Sequence, residues 1–346
     1  MSRLIALDGS HGEGGGQILR TALALSAVTG QGFEITRIRA RRSRPGLRPQ
    51  HLAAVRAATL VCDAKVGGAY DGSPDLRFEP GPLASGDFRF EIATAGAATL
   101  VLQTILAPLA TASTATSRVE VTGGTHVPSS PSYDYLARHW AAAVARMGLA
   151  PRFQLVRAGF YPPGGGEIRA EVPPWPRPAG LVMDRRGALV AVRGTSGAGR
   201  VKGDVARRQA EAARTRLWEA RRLESDWDVL DVPSASPGSF LLLEAVFEES
   251  RAAFGYLGER GRRAEVLGDR AARALLKFLD GEGALDPHLA DQLAVPFAVG
   301  GGGGRVTTSE VTAHLESVVS VLGAFGFHAR VDGRLGGPGT FEVDKC

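Results

Sequence analysis

Cysteine is nearly absent: the 346 residues hold only Cys62 and Cys346. Two thiols without metal-ligand spacing exclude a disulfide framework and a zinc site, which suits a reducing cytoplasm. Long apolar runs are missing too. The most apolar stretch, Ala97 to Ala112, is interrupted by Gln103 and Pro108 and is too short to span a bilayer, so it reads as a buried helix and no membrane partner is expected. Met1-Ser2-Arg3 carries no signal-peptide pattern. Lysine is scarce, four against 37 arginines, a bias that base composition in the coding sequence explains in part. Acids are missing from position 35 to position 62, although Arg37, Arg39, Arg41, Arg42, Arg44 and Arg48 crowd into that interval. The net charge of +5 permits polyanion binding without proving it.

What is abundant is glycine, and one cluster organises the chain. Residues 9–16 hold five glycines between an apolar run (Leu4 to Leu7), which reads as a strand, and an apolar-periodic run (Ile18 to Val28), which reads as a helix closed by Gly30. Uncovered amides and the positive dipole end converge there, which makes an anion seat. Arg20 in the first turn is at the wrong end for the macrodipole unless a phosphate or carboxylate lies between. Glu13 would repel that anion unless a divalent cation bridges them or the carboxylate does proton chemistry. An ordinary glycine-rich turn is the plain alternative. Two familiar phosphate loops do not fit. Gln17-Ile18 stands where the Walker pattern needs Lys then Ser or Thr, and the next acid, Glu34, begins a strand where a dinucleotide loop needs one ending it.

The order of elements repeats. Strand Phe33 to Ala40, helix Gln50 to Val66 and a hairpin of Leu76 to Glu79 with Phe88 to Ala93 complete a strand-helix-strand-helix-strand-strand unit. Helix Ala98 to Ala112, strand Arg118 to Thr122, helix Ser132 to Met147 and strands Arg152 to Arg157 and Glu167 to Glu171 repeat it. A third copy starts at Asp286-Pro287, read as N-cap and first helical position, with Pro296 as the stop. Strand Arg305 to Thr308, helix Val311 to Leu322 and strands Ala329 to Val331 and Phe341 to Val343 follow. The third copy comes late by roughly a hundred residues. Pro173 to Pro178 and Leu279 to Gly283 mark an insertion containing strand Ala188 to Val192, helix Val205 to Arg222, strands Trp227 to Val232 and Phe240 to Phe247, and helix Arg263 to Leu279. The expected fold class is α/β of the α+β type: a large domain (1–180 and 281–346) with a small α/β domain (181–280) inserted.

Period-two alternation puts Arg37, Arg39 and Arg41 on one side of the strand, beside the rigid turn from Pro45 to His51. A fixed guanidinium array suits a phosphodiester chain and its terminal phosphate; an edge strand guarded against aggregation is the alternative. The arginines of the 205–222 helix, partly balanced by Glu211 and Glu219, read as a solvated face. Among seven histidines, His139 and His328 look like background. His288 shares a helix face with Asp291 and Gln292, a cluster that could grip a nucleotide, although surface polarity explains it nearly as well. His314 sits at the edge of an apolar stripe near a helix start, where burial and the dipole would keep it neutral and nucleophilic; a satisfied core histidine is the competing explanation.

Together, Gly12 to Arg20, Arg44-Pro45-Gly46-Leu47 with Gln50-His51, Gly123-Gly124-Thr125, Ser130 to Tyr135, Pro162 to Glu167 and His288-Leu289-Ala290-Asp291-Gln292 resemble the RNA 3'-terminal phosphate cyclases, in family order. The resemblance implies three repeats like the C-terminal domain of translation initiation factor three, with the small domain inserted before the third. It also implies the chemistry: ATP adenylates a histidine, AMP passes to an RNA 3'-phosphate, and the neighbouring 2'-hydroxyl closes a 2',3'-cyclic phosphate. By the same resemblance the adenylated residue is His314. ATP contacts fall on Gln103, His288, Leu289, Ala290, Asp291 and Gln292, the metal carboxylate (for Mg2+ or Mn2+) on Glu13, and the RNA end on Arg20, Arg39, Arg42, Gln50 and His51. Simple alternation would put Arg39 and Arg42 on opposite faces, so Arg42 must lie beyond the strand or after a bulge.

Two other functions compete. A non-catalytic cyclase-like RNA-binding assembly factor in ribosome maturation would lack the nucleophilic histidine, so His314, Gln103 and Glu13 together favour the enzyme. A transferase for a small phosphorylated metabolite would not need the arginine array. Lysine-based ligase chemistry is a poor rival, because Lys65-Val66-Gly67-Gly68 lacks the acidic residue of the usual motif.

Overall fold

The computed structural model describes residues 4–112 and 115–345; Met1 to Arg3 and Cys346 lie outside them. The chain is mixed α/β. Strands β1 (Ile5–Asp8), β2 (Phe33–Thr36), β3 (Lys65–Gly67) and β4 (Leu76–Glu79) form a first sheet in the order β1-β2-β4-β3, connected by α1 (Gln17–Thr29) and α2 (Pro49–Cys62). β1 and β2 are parallel, and β4 is antiparallel to β2 and β3. The second sheet has the same pattern. It contains β5 (Asp87–Glu91), β6 (Ser117–Gly123), β7 (Arg152–Arg157) and β8 (Gly166–Val172) in the order β5-β6-β8-β7, with α3 (Ala98–Ala112) and a π-helical stretch, Tyr135–Trp140, that runs into α4 (Ala141–Ala145).

Next comes β9 (Leu181–Met183), and then a separate unit. Strand β10 (Leu189–Gly199), helix α5 (Val205–Arg221), strands β11 (Asp226–Asp231), β12 (Gly238–Phe247) and β13 (Arg251–Leu257), and helix α6 (Ala264–Asp280) make a sheet β11-β10-β12-β13 with both helices packed on it. The chain then adds α7 (Leu289–Val299), β14 (Gly304–Thr308), α8 (Ala313–Ala324), β15 (Ala329–Gly333) and β16 (Gly339–Val343). These strands take up β9 in the order β9-β14-β16-β15, so a third sheet has the pattern of the first two.

Several expectations are corrected. β2 ends at Thr36 because its parallel partner β1 ends at Asp8 and turns into the glycine loop. The backbone is left-handed at Arg37 and Arg39, both at φ 55, and Ile38 is buried with its N–H on the carbonyl of Pro74. The expected one-sided row of arginines on an extended strand is therefore absent. β4 and β5 are not a hairpin: β4 pairs with β3, and β5 starts the second sheet. Leu181–Met183, expected inside the insertion, belongs to the third sheet. The insertion therefore interrupts the third unit after its first strand. Helix α7 is capped by His288, not Asp286, and passes through Pro296. Proline there removes the N–H that would reach the Gln292 carbonyl. The indole of Trp140 donates to that carbonyl instead, at 3.1 Å, so the helix continues.

Helices α1, α2, α3, α7 and α8 share one core, with Leu23, Leu102, Ile105, Leu293 and Leu322 all fully buried. Each such side chain contributes roughly 1.5–3 kcal/mol by leaving water, which gives the loop before α1 a rigid floor. The inserted unit has its own core around Leu243, Ala271 and Leu275. Buried His126, 2.8 Å from both Asp134 and Thr125, stacks on Phe240 at 4.2 Å and joins the two parts.

Candidate active site

The glycine loop packs against α8. Gly12 is left-handed, and a Cβ there would lie 2.3 Å from the Ser317 hydroxyl, which in turn accepts the Glu13 N–H at 3.1 Å. A Cβ on Gly15 would lie 1.9 Å from the Glu13 carboxylate, so only glycine lets that carboxylate fold back over the loop. Helix α1 starts at Gly16 with no side-chain cap and no acid in its first turn, so its amides are left for a ligand.

Two groups of residues meet at that point. In the first, Glu13 Oε1 is ion-paired with Arg42, whereas Oε2 is buried and has no hydrogen-bond partner among the described residues. His314 Nδ1 lies 3.8 Å from that oxygen and likewise has no hydrogen-bond partner among the described residues, although the side chain as a whole is 43% exposed. A small rotation would let Nδ1–H donate to Glu13 and leave Nε2 with its lone pair. Burial, then Arg20, His288 and Arg42, pushes the His314 imidazole from its ordinary 6.5 down to about 4, so it is neutral at pH 7.

The second group surrounds His51. Its Nδ1 accepts the Arg48 N–H at 3.1 Å, which assigns the ring proton to Nε2. Burial, then Arg20, Arg39 and Arg48, lowers this imidazole to about 3. A Cβ on Gly16 would lie 2.5 Å from His51 Nε2 and 2.6 Å from the Arg20 guanidinium. Both groups therefore face the helix start. Arg39 donates to the carbonyls of Arg44 and Gly46, at 2.7 and 3.0 Å.

Beside these groups opens a cleft of about 830 Å³ between the body and the inserted unit. Arg20, Gln103, His288, Asp291, Gln292 and His314 all line it, so sequence positions far apart share one cavity. Gln103 donates to Gln292 at 2.7 Å, and Gln292 donates to the His288 carbonyl at 2.9 Å. Burial, then the Asp286 carboxylate, pushes Asp291 up to about 7 against the pull of Arg20. Burial brings Arg20 down to about 10, with Asp291 opposing.

Not every expected residue is in the cleft. Leu289 and Ala290 are buried in the core, and Gln50 packs against Gly96, away from the walls. The far wall is β13, Ala253 to Leu257, which the sequence reading missed because two alanines and a glycine weaken its alternation. It also gave no part in the site to Asp286 and His139, described below, whereas Ser130 to Ser132, inside a motif it did quote, line the cleft with Ser129.

Among the described residues no group of three or more His, Cys, Asp or Glu could hold a metal ion. The donor present is the orphaned Glu13 Oε2. One hard carboxylate suits Mg2+ or Mn2+ when nucleotide phosphates and water complete the shell. Among the described residues no helix is long and apolar enough to cross a membrane.

A family model described as RNA 3'-terminal phosphate cyclase matches residues 11–330. Curated relatives of that name include one from Ralstonia nicotianae, 46% identical over 93% of this chain and 91% of its own. One from Methylococcus capsulatus is 43% identical over 97% and 95%. Another from Caldivirga maquilingensis is 42% identical over 93% and 92%.

Proposed function

Because this chain belongs to the RNA 3'-terminal phosphate cyclase family, we propose that it converts an RNA 3'-phosphate end to a 2',3'-cyclic phosphate at the expense of ATP, with His314 as nucleophile. The observation that carries this reading is the neutral imidazole of His314 beside Glu13, at the mouth of a cleft shared with Gln103 and Asp291.

His314 Nε2 attacks the α-phosphorus of ATP, the α–β phosphoanhydride P–O bond breaks, and pyrophosphate leaves. Glu13 takes a hydrogen bond from Nδ1–H and steadies the charge the ring acquires. An oxygen of the RNA 3'-phosphate then displaces the histidine, giving RNA-adenylate. Last, the 2'-hydroxyl attacks the 3'-phosphorus, loses its proton and expels AMP. Adenylation is needed because a phosphate oxygen is a poor leaving group. The ring step needs RNA, since DNA has no 2'-hydroxyl.

In this reading Gln103, His288, Asp291 and Gln292 hold the nucleotide, with Leu289 and Ala290 supporting them from the core. Arg20, His51, Arg39 and Arg42 receive the RNA terminal phosphate. Gln50 supports the start of α2 beside them. Glu13 would hold a divalent cation, which when bound supplies charge neutralisation on the triphosphate. The three sheets are taken as copies of the fold of the C-terminal domain of translation initiation factor three, the 181–280 segment without β9 as an inserted domain, and the cytoplasm as the place of action.

Incubation with α-labelled ATP and Mg2+ is expected to give an acid-labile, alkali-stable protein adduct, absent in His314→Ala. Stable labelling of that variant rejects the assignment.

A further inference from the structure

Asp286 lies under the cleft, fully buried, where the inserted unit rejoins the body. Its Oδ1 accepts the Tyr135 hydroxyl at 2.9 Å and the His288 N–H at 3.0 Å. Its Oδ2 accepts His139 Nε2 at 2.7 Å and the Ala253 N–H at 3.3 Å. His288 begins α7, one wall of the cleft, and Ala253 begins the β13 wall opposite. One carboxylate is thus bonded to the backbone of both walls.

Its surroundings explain why a charge is tolerated there. Burial pushes the Asp286 carboxyl up, but His139 and His288 outweigh it and keep the group below its ordinary value. Behind it, Glu244 stands opposite Ala253 in the β12–β13 register. Among the described residues Glu244 Oε1 and His139 Nδ1, both buried, have no hydrogen-bond partner. Asp291 and Arg138 also face this array electrostatically. A buried carboxylate with four donors is a costly device for a mere loop stop, since the sequence could have ended the insertion with an exposed turn.

We propose that Asp286 is a positioning residue for the nucleotide, setting the width of the cleft by clamping the inserted unit's β13 to the start of α7. The proposal rests on the reading of the cleft as the nucleotide site. The RNA-end group around His51 has no bond to this carboxylate, so the two substrates should respond differently.

The test is direct binding of an ATP analogue with a methylene bridge between the α- and β-phosphorus, alongside binding of a 3'-phosphorylated oligoribonucleotide. In Asp286→Asn, Oδ1 still serves Tyr135 and His288, but an amide NH2 replaces the Oδ2 that accepts from both His139 Nε2 and the Ala253 N–H, so the β13 tie is cut together with the His139 bond. Ala253→Pro deletes that N–H with the carboxylate intact. The N–H points away from the ladder on an edge strand, where proline is tolerated.

Either variant is expected to weaken the analogue by roughly tenfold, the worth of one hydrogen bond to a charged group, and to leave RNA-end affinity unchanged. Tyr135→Phe, which touches neither wall bond, should have a much smaller effect. Unchanged analogue affinity in both wall variants overturns the clamp and leaves the nucleotide reading standing. Equal loss of analogue and RNA binding overturns it in favour of a folding role. Failure of the unaltered protein to bind the analogue overturns the nucleotide reading and the clamp with it.

Discussion

The arginines of α5 and those between β2 and α2 are comparably dense in sequence, yet the fold treats them in opposite ways. On α5, Arg208 donates to Glu265 at 2.9 and 3.1 Å, Arg216 to Asp269 at 2.6 Å, and Arg221 pairs with Asp280, all acids of the neighbouring α6. That face is partly neutralised across a helix pair. Between β2 and α2, remote acids reach some of the charges: Asp8 holds Arg37, Glu13 holds Arg42 and Asp71 holds Arg48. Arg39 donates to backbone carbonyls, and burial, then Arg48, pulls its pKa down. Arg20 and His51 add to the same place. Arginine count therefore does not distinguish a binding array from a solvated face. What distinguishes them is where the unmatched groups sit: Arg207 and Arg214 of α5 are exposed to solvent, whereas Arg20 and Arg39 are half-buried around the start of α1, where a ligand can meet the charge.

The contrast can be broken most severely at Gly16. In Gly16→Ala the new methyl collides with His51 and Arg20 and displaces both. RNA cyclisation is then expected to fall by about two orders of magnitude, the usual cost of a misplacement near 1 Å. A turnover assay that finds it unaffected means the array does not receive the terminal phosphate. Arg39→Ala should be milder. RNA affinity is expected to drop about tenfold, and the slope of log affinity against log salt to fall by about 0.7, one phosphate contact on a single strand.

A pH titration sharpens the comparison further. The depressed His314 value makes the protonated form the disfavoured one, so adduct formation should be flat near neutrality and fall as pH drops through about 4. Arg42→Ala removes one of the charges that depress it, and the acid limb should move to higher pH. Arg216→Ala should leave that limb in place. The same α5 substitution gives the smallest effect of all. Both partners of its ion pair are more than a third exposed, so stability should fall by about 0–1 kcal/mol in a denaturant titration, with activity retained.

Much of this was legible from local pattern. The strand, loop and helix around Gly12 to Arg20 appear where composition put them, and the solvated reading of α5 agrees with its ion pairs. The failures share a cause. Strand β2 looked longer than it is because alternation continues past the point where its partner stops. Residues 65–67 looked helical because a three-residue edge strand has no period of its own. Pro296 looked like a stop because nothing local announces that Trp140 will satisfy the stranded carbonyl.

By itself the sequence determined the chemistry available: free amides at a glycine-rich helix start, one carboxylate among them, guanidinium groups without local acids, and a histidine at the edge of an apolar stripe. These are properties of residue type and short-range spacing, which need no partner. Tertiary structure alone decided which groups meet, bringing His314 to Glu13, Gln103 to Gln292 and Asp286 to both walls of the cleft. Those distances depend on how three sheets and an inserted unit pack, and no local period records that.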